Sequence, residues 1–362
     1  MISSRLLSLV RCPECRQELR ASADGIHLCS ECGRSYRASG ADYLDLRPHD
    51  EFREQTKYLD EALHADARHE RLSPPLLGSK IRNDMLRRFL RPSSADVVID
   101  LGCGSGRTML WNRDWGAAIV GVDIAPYFSE EARREKDLLL GDLRKLPFAD
   151  ATFTKAYSLD VLEHLSPEAL RSVLAEASRI LKPGGALFVY THVRKNARIA
   201  KGLRLINRFA QWLDRRGLVD LRQEHLRKSD HLNPLADIPE LQRVTREAGF
   251  RIARIRYYTP LVGGFVENVL MRMAERVLAK RAARRLTTGQ HGATTVQHGS
   301  TPIIDDVDAR AIKEARTAAK QQIARSPATY AALRTLSFAM KLDLVLFGRI
   351  TSGPFFALLI KD

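Results

Sequence analysis

Short apolar segments and longer amphipathic segments alternate along the chain from Asp96 onward. Ala118–Asp123 and Phe153–Leu159 are apolar runs of the length of buried strands. Pro167–Leu181 has apolar residues at helical spacing and stops at a Lys-Pro-Gly-Gly sequence. This alternation predicts an α/β fold with a parallel, doubly wound sheet. The other predicted elements are strands at Val97–Asp100, Leu138–Leu140, Ala186–Thr191, Arg251–Tyr258 and Phe355–Ile360, and helices at Thr108–Trp115 and Ile238–Gly249.

The segments that flank this pattern differ from it in character. Residues 47–92 form charged helical segments with a break at Ser73-Pro-Pro75. A long insertion precedes the last strand, and Thr287–Pro302 within it is polar and poor in apolar residues. The predicted division is a ribbon at 1–46, a helical linker at 47–92, the α/β core at 93–262, a helical insertion or lid at 263–350 and the last core strand at 351–362.

A glycine-rich turn directly follows the first core strand, in the sequence Val97-Val-Ile-Asp-Leu-Gly-Cys-Gly-Ser-Gly-Arg107. Gly102, Gly104 and Gly106 recur at every second position, and this spacing differs from the G-x-G-x-x-G of nicotinamide binders. Glycines at such a turn let a ligand approach the backbone closely. Ligands of doubly wound sheets bind at the carboxyl ends of the strands, and the turn lies there.

Four of the five cysteines lie in the first 32 residues, as two Cys-x-x-Cys pairs separated by 13 residues. Cys12 and Cys15 form the first pair, and Cys29 and Cys32 form the second. Two such pairs can place four thiolates around one ion, so the sequence predicts a closed, structural Zn²⁺ site. Disulfide pairing is the alternative, and it fits less well because nothing in the sequence indicates secretion.

The composition narrows the class of protein. The 362 residues are 44% hydrophobic, as in an ordinary globular protein, and the net charge is +15 with a pI near 9.8. An excess of positive charge favours anionic partners such as nucleic acid, an acidic membrane surface or phosphorylated metabolites. The alternative is that the charge serves only to keep the protein soluble. No apolar run has the roughly 18 residues of a spanning helix. We therefore expect a cytoplasmic protein, with peripheral contact at the inner membrane face as an option.

Five motifs occur in a fixed order between about residues 93 and 260: Asp-Leu-Gly-Cys-Gly-Ser-Gly, Gly-Val-Asp-Ile, Gly-Asp-Leu, Ser-Leu-Asp-Val-Leu-Glu-His-Leu and Leu-Lys-Pro-Gly-Gly. Together they resemble the class I S-adenosylmethionine-dependent methyltransferases, of the type 11 kind. The resemblance implies a Rossmann-like, seven-stranded sheet, to which the N-terminal zinc ribbon and the helical insertions are added. It also implies S-adenosylmethionine as the cofactor.

The resemblance assigns a contact to each motif. The glycine turn and the start of the next helix face the methionine carboxylate, which suits backbone N–H donors. Asp100 adjoins the cofactor's amino group, and Asp123 accepts hydrogen bonds from the ribose hydroxyls. Asp142 is implied at the adenine amino group, although a capping role is the alternative. The full implied set is Asp100, Gly102, Gly104, Ser105, Gly106, Asp123, Ile124 on the adenine face, Asp142, Leu143 at the ring edge, and Ser158 and Leu159 at the methyl-donor end.

Alignment of the nucleophile with the methyl carbon and sulfur supplies much of the rate of methyl transfer. A general base helps when the acceptor is a hydroxyl. His164 and His192 are the candidates, with His231 third, and lining or anchoring the pocket is the alternative for each. Cys103 is a small residue in the turn, so methylation at C5 of a pyrimidine, which needs a free thiolate, is disfavoured. Lys155 departs from the acidic residue that relatives often carry there.

Three interpretations of the acceptor stay open. The first is a small-molecule or lipid-linked acceptor, methylated at oxygen, carbon or nitrogen in a pocket covered by the insertion. Basic amphipathic segments at 265–285 and Tyr330–Phe347 support it, since such helices can lie on an anionic membrane. Both segments could instead pack on the core.

The second interpretation is RNA, because a zinc ribbon joined to this fold also resembles bacterial rRNA guanine methyltransferases. The basic stretch 194–228 could follow phosphates. Its aromatic residues are few beyond Phe209 and Trp212, which leaves little for base stacking. The third interpretation, a non-enzymatic docking scaffold, conflicts with the intact cofactor motifs.

Overall fold

The computed structural model describes residues 2–21, 26–39, 42–48, 72–194, 200–219, 221, 232, 234–274, 276–277 and 327–362. Several sequence predictions therefore lie outside the described residues: the linker helix at 49–71, His231, the polar stretch 287–302 and residues 278–285 of the basic segment 265–285. The described strands are β1 Leu19–Ala21, β2 Ile26–Cys29, β3 Ser35–Ser39, β4 Tyr43–Asp45, β5 Val97–Leu101, β6 Ala118–Asp123, β7 Asp137–Leu140, β8 Phe153–Leu159, β9 Leu181–His192, β10 Phe250–Tyr257 and β11 Pro354–Lys361.

The described helices surround this sheet and complete the α/β architecture. They are α1 Ser4–Leu9, α2 Leu77–Leu90, α3 Arg107–Trp111, α4 Glu130–Glu135, α5 Pro167–Ile180, α6 Ala200–Arg215, α7 Ile238–Glu247, α8 Leu261–Phe265, α9 Pro327–Met340 and α10 Leu342–Phe347. The predicted helix at 108–115 is divided at Asn112, whose side-chain amide donates to the carbonyl of Thr108 (2.8 Å) and to Asn83 (2.7 Å). That side chain competes with the backbone, so α3 ends at Trp111 and a 3₁₀ turn follows.

Seven strands form the predicted core sheet, in the order β7-β6-β5-β8-β9-β11-β10. Strands β5 to β9 pair in parallel, which confirms the α/β class. β11 runs antiparallel to both of its neighbours. The segment between β10 and β11 leaves the sheet and returns to it at the same end of β10, where Tyr258 N donates to the carbonyl of Pro354 (2.9 Å). Because β11 starts beside the end of β10, it runs back along that strand.

Both faces of the core sheet are covered by helices, as a doubly wound sheet requires. On one face, the apolar sides of α5 and α7 pack against Phe153 and Phe355. On the other, α2 and α3 pack against Tyr157 and Phe188. Ser166 caps the start of α5: its hydroxyl accepts from Ala169 N (3.2 Å), and Pro167 is the first residue of the helix. Because helices cover both faces of the sheet, a ligand can reach it at the carboxyl ends of the strands.

The ribbon is part of the same sheet rather than a separate appendage. β1, β2 and β3 form an antiparallel meander, and β4 pairs in parallel with β7. Tyr43–Asp45, near the end of the predicted ribbon, lies between β3 and β7 and joins the meander to the core sheet. Hydrophobic patterning over three residues is too short to predict this pairing.

Helices of the insertion cap one another and α2 through side chains. The buried carboxylate of Asp343 accepts from Val262 N (2.9 Å) and Gly263 N (2.8 Å) at the start of α8. The hydroxyl of Ser337 accepts from Leu77 N (2.7 Å) at the start of α2. These bonds satisfy helix N–H groups that would otherwise lack partners. Among the helices that the structure describes, none is long and apolar enough to cross a bilayer.

Lys155 ties the beginning of β5 to β8 and so has a structural role. Its ammonium group lies 2.7 Å from Oδ2 of Asp96 and donates to the carbonyl of Arg91 at 3.0 Å. Burial alone would raise the pKa of Asp96, but Lys155, Ser93 and Thr154 together lower it to about 2. A carboxylate with a lowered pKa contributes stability above its unfolded pKa and loses that contribution as the pH falls.

We therefore expect Lys155→Met to reduce the free energy of unfolding by about 1–2 kcal/mol at pH 7. The difference in unfolding free energy between wild type and Lys155→Met should shrink as the pH falls from about 4 to about 2, because Asp96 then becomes protonated in both the unfolded and the folded protein. Urea denaturation at pH 7 and pH 3 measures both values. Lys182→Met, at an exposed position, is the control; equal effects of the two changes would contradict the assignment.

Candidate active site

The glycine turn after β5 adopts a backbone that only glycine tolerates easily. Gly102, Gly104 and Gly106 have φ values of +83°, +52° and +77°. A Cβ at Gly102 would lie 2.4 Å from a methyl of Val161, and one at Gly106 would lie 2.6 Å from Ala132. Apart from the two chain neighbours of Gly104, no residue that the structure describes has an atom within 4 Å of the Cβ position there. Packing therefore requires two of the glycines, and the third leaves open space for a ligand.

Two carboxylates lie beside this turn at the ends of β5 and β6. Asp123 accepts from Gly104 N (2.7 Å) and Ala125 N (2.9 Å), and burial raises its pKa. Asp100 is 3% exposed, and burial raises its pKa well above the ordinary value, to which the nearby charge of Asp123 adds. A cationic group that entered beside Asp100 would stabilise its ionised form. The ammonium group of S-adenosylmethionine has the chemistry that this pair fits.

The remaining residues assigned to the cofactor lie on the same edge of the sheet. Ser105 accepts through its carbonyl from Ser129 N (3.0 Å), which fixes the turn against the segment after β6. The hydroxyl of Ser158 donates to the carbonyl of Leu101 (2.9 Å) and joins the ends of β5 and β8. Ile124, Leu143 and Leu159 are partly exposed.

Asp142 is buried, and Arg144 occupies both of its oxygens. The Arg144 side chain donates to Oδ1 (3.0 Å) and Oδ2 (2.7 Å), and its backbone N–H donates to Oδ1 (2.8 Å). A carboxylate has about four lone-pair sites, so this pairing still leaves capacity for a further donor. The assignment of Asp142 to the adenine amino group stays a prediction.

His192 and Glu163 form a polar pair at the carboxyl end of β9. Nδ1 of His192 lies 3.5 Å from Oε1 of Glu163, and the hydroxyl of Thr191 donates to Oε2 at 3.0 Å. Glu163 is 1% exposed; burial alone would raise its pKa, but the neighbouring His192 lowers it below the ordinary value. His164 lies in the adjacent 3₁₀ turn and also acts to lower this pKa. The predicted histidines therefore both lie near one carboxylate, His164 in the turn and His192 at the end of β9.

A second polar group adjoins this pair and was not predicted from the sequence. Asp160 has a φ of +57°, and its Oδ2 forms an ion pair with Nε of Arg82 at 3.2 Å. The guanidinium of Arg82 also lies over the ring of Tyr190, 5.6 Å from its centroid. Glu163 and Asp160 stand inside a recognised motif, but the sequence does not show that one is buried beside His192. Arg82 comes from α2, far away in the chain, so no local pattern could have placed it here.

The four ribbon cysteines converge on one point. Their sulfur atoms all lie within 4.8 Å of one another, with Cys12 and Cys32 at 3.6 Å and Cys15 and Cys29 at 3.3 Å. Tetrahedral Zn–S bonds of about 2.3 Å place sulfurs about 3.8 Å apart, so the cluster fits zinc. The cysteines are not joined as disulfides. The hydroxyl of Tyr36 lies 3.5 Å from the Cys12 sulfur and can support that ligand.

The part of the chain that carries these motifs is also the part that is similar to known proteins. Residues 99–189 match the family described as "Methyltransferase domain". The sterol 4-C-methyltransferase strm-1 of Caenorhabditis elegans is 38% identical over 108 residues, which cover 27% of this chain and 31% of that protein. An O-methyltransferase of Pyrenophora dematioidea is 30% identical over 112 residues, covering 28% and 40%.

The shared region is a part of each protein, since the chain spans 31% to 50% of the length of these and a similar curated relative. Among solved structures, the phosphoethanolamine N-methyltransferase 2 of Haemonchus contortus with S-adenosyl-L-methionine has a TM-score of 0.47 at 16% identity, covering 85% of this chain and 59% of that one. The family match and the ordered motifs of the glycine turn, β6 and β8 coincide. Residues 99–189 therefore match a methyltransferase domain, as the ordered motifs of the sequence predict.

Proposed function

We propose that this protein transfers the methyl group of S-adenosylmethionine to a small-molecule or lipid-linked acceptor. The observation that carries the proposal is the open turn at Gly104, flanked by Asp100 and Asp123 at the carboxyl ends of two adjacent strands. The relatives include a sterol methyltransferase and O-methyltransferases, which supports a non-polymeric acceptor. The acceptor atom is the open part of the proposal.

The cofactor supplies a methyl group made electrophilic by its bond to a sulfonium. In our proposal, backbone N–H groups of the turn hold the methionine carboxylate, and Asp100 pairs with the ammonium group. Asp123 accepts from the two ribose hydroxyls. Ile124, Asp142 and Leu143 hold the adenine, and Ser158 and Leu159 border the methyl-donor end. These contacts fix the cofactor so that a bound acceptor can attack in line.

For a hydroxyl acceptor, His192 is the general base in our proposal. The acceptor proton passes to Nε2, while Nδ1 faces the carboxylate of Glu163, 3.5 Å away. Glu163 is then a positioning residue, because its negative charge stabilises the imidazolium that forms. The lowered pKa of Glu163 keeps it ionised through the neutral range. His164, on the other side of the turn, is the second candidate for the base.

We expect His192→Ala to lower kcat by about 100-fold or more, with unchanged affinity for the cofactor. Glu163→Gln should lower kcat by about tenfold, because the base then lacks its charged partner. Rates with saturating acceptor and calorimetry with S-adenosylhomocysteine measure the two effects. Glu168→Gln, at an exposed position in the first turn of α5, is the control. Full kcat in His192→Ala would remove this residue from the chemistry.

An apolar surface on the insertion supports a lipid-linked acceptor. Phe338, Leu342, Val345 and Leu346 are 72%, 46%, 72% and 60% exposed and follow helical spacing along α9 and α10. The opposite side of this segment packs on the protein through Leu333, Ser337, Met340 and Asp343, which are buried. The segment thus both packs on the core and presents an apolar face.

A similar face lies on α6. Leu205, Phe209 and Trp212 are 69%, 44% and 45% exposed at positions i, i+4 and i+7. The rings of Phe209 and Trp212 stack with centroids 5.9 Å apart, and Arg216 lies over Trp212 at 4.7 Å. Exposed apolar residues beside arginines, in a chain with a net charge of +15, suit an anionic bilayer. Peripheral contact with such a membrane is part of our proposal.

We expect the protein to float with vesicles that contain phosphatidylglycerol and to remain behind with neutral phosphatidylcholine vesicles. Val345→Asp with Leu346→Asp should reduce the bound fraction by about tenfold, because two charges would enter the bilayer interface. The double change Arg243→Ala with Arg246→Ala on α7 is the charge-matched control. Equal binding of wild type and the α10 variant would contradict membrane contact through this face.

RNA is the alternative acceptor, favoured by the basic residues of α6. Formation of S-adenosylhomocysteine, followed by mass spectrometry, tests methyl transfer whatever the identity of the acceptor. We expect product only when the pure protein is supplied with cell extract, and loss of that product with Asp123→Ala. Extract digested with ribonuclease should still support the reaction. No product from undigested extract would contradict the proposed activity.

A further inference from the structure

The ribbon adjoins the first of the two segments that we assign to the adenine end of the cofactor. β4 pairs in parallel with β7, and Leu46 N donates to the carbonyl of Leu140 (2.9 Å), the last residue of β7. Asp142 and Leu143 follow directly. The strand that leads into this part of the pocket is therefore held along one side by the ribbon.

The loop beyond Leu143 is attached to the ribbon as well. Arg11 N donates to the carbonyl of Pro147 at 2.8 Å, and Val10 forms an antiparallel bridge with Phe148. Val10 and Phe148 are both buried. Arg11 immediately precedes Cys12, the first metal ligand. The backbone that enters the metal site is thus hydrogen-bonded to the loop that carries Asp142.

A salt bridge joins the turn between the metal ligands Cys12 and Cys15, here called the knuckle, to the same loop. Glu14 stands between Cys12 and Cys15, and its Oε2 lies 2.6 Å from Nζ of Lys145. Lys145 N in turn donates to the carbonyl of Asp142 at 3.0 Å. Both members of the bridge are less than one-third exposed. The path from a metal ligand to Asp142 therefore consists of one turn, one salt bridge and one hydrogen bond.

The second adenine segment, after β6, contacts the residues that leave the ribbon. Arg47 is held by Asp45 (Nε to Oδ1, 2.9 Å), and its Nη1 donates to the carbonyl of Ile124 at 3.5 Å. The ring of Tyr43 packs edge-on against Phe128, with centroids 5.1 Å apart. The ribbon thus contacts both segments assigned to the adenine.

The interior of the ribbon is continuous with the core of the sheet. Cys12 and Cys29 are fully buried and belong to the same apolar cluster as Leu44, Val122 and Leu139. A loss of order around the metal would therefore spread into the packing beneath β6 and β7 rather than stop at a linker.

We infer that the zinc ribbon forms the wall of the adenine pocket, so that an intact, metal-bound ribbon sets the affinity for the cofactor. The inference rests on the proposed function for the identity of the ligand. It assigns Glu14 and Lys145 as positioning residues, which act on cofactor binding through Asp142. The ribbon is then an integral part of the cofactor site rather than a device for recognising the acceptor.

The test uses Lys145→Met, which breaks the bridge to the knuckle and leaves all four cysteines in place. We expect about one zinc per chain by mass spectrometry and a dissociation constant for S-adenosylhomocysteine about fivefold above wild type. The same fold-change should appear with 5′-methylthioadenosine, which keeps the adenine and lacks the amino acid end. Amide exchange should accelerate at 141–148 and stay unchanged at 186–192.

Arg243→Met is the matched control, because it breaks a salt bridge of similar length (2.7 Å to Glu247) on α7. A Lys145→Met dissociation constant within twofold of wild type would overturn the inference, as would a loss confined to S-adenosylhomocysteine. Wild-type protein that binds neither ligand would instead overturn the proposed function. The two failures are therefore distinguishable by whether the wild type binds.

Discussion

Asp123→Ala is expected to weaken S-adenosylmethionine binding by at least about 100-fold, because the change would remove the two charge-assisted hydrogen bonds that we propose Asp123 forms with the ribose hydroxyls. The carboxylate is already oriented for this role. Gly104 N and Ala125 N hold its two oxygens at 2.7 Å and 2.9 Å, so little ordering is needed when the cofactor binds. Calorimetry of the variant and the wild type measures the loss directly.

The fold should survive this change. Asp123 is partly buried at the end of β6, and this burial raises the pKa of its carboxyl group. Because the carboxylate is held at a cost to the folded state, its removal should lower the melting temperature by only a few degrees. Asp114→Ala, which removes an exposed carboxylate paired with Arg87, is the control and should leave affinity unchanged. Affinity of the Asp123 variant within threefold of wild type would refute the ribose role.

Cys12→Ser is expected to reduce bound zinc well below one ion per chain, since a neutral serine hydroxyl is a much weaker zinc ligand than the thiolate that it replaces. Cys12 is fully buried and lies within 3.6 Å of the Cys32 sulfur, so its replacement also disturbs the core of the ribbon. Binding of structural zinc contributes folding free energy to small metal domains. The ribbon should therefore become sensitive to limited proteolysis, with cleavage before residue 46.

Cys103→Ser provides the control for this experiment, because Cys103 is buried in the glycine turn and is not one of the four clustered cysteines. It should retain zinc at the wild-type level. Mass spectrometry of the intact protein under native conditions and elemental analysis give the metal content. Absence of zinc from purified wild type, or its full retention by Cys12→Ser, would contradict a structural zinc site.

The core sheet was predictable because its signals are local. Ala118–Asp123 and Phe153–Leu159 have the bounds that the apolar runs predict, since buried strands are read directly from hydrophobicity. The alternating glycines also predicted a tight turn, and Gly102, Gly104 and Gly106 adopt the positive φ that glycine permits. Convergence of the four cysteines likewise follows from spacing.

Tertiary contacts were not predictable in the same way. The pairing of β4 with β7 joins residues about 95 positions apart, and a three-residue strand carries no periodicity. Nothing in the sequence around Lys155 indicates that this residue pairs with Asp96, and only the structure shows the ion pair. Glu163 stands within the Ser-Leu-Asp-Val-Leu-Glu-His-Leu motif, yet its burial beside His192 depends on the packing of β8 against β9.

The most direct test of the central claim follows a labelled methyl group from S-adenosylmethionine into a cell extract incubated with the pure protein. The label is then partitioned among an organic phase, RNA and small aqueous solutes, with Asp123→Ala as the inactive control. We predict label in the organic phase or in small solutes that resists ribonuclease. Label confined to RNA would contradict the proposed acceptor class, and no label in any fraction would contradict methyl transfer itself.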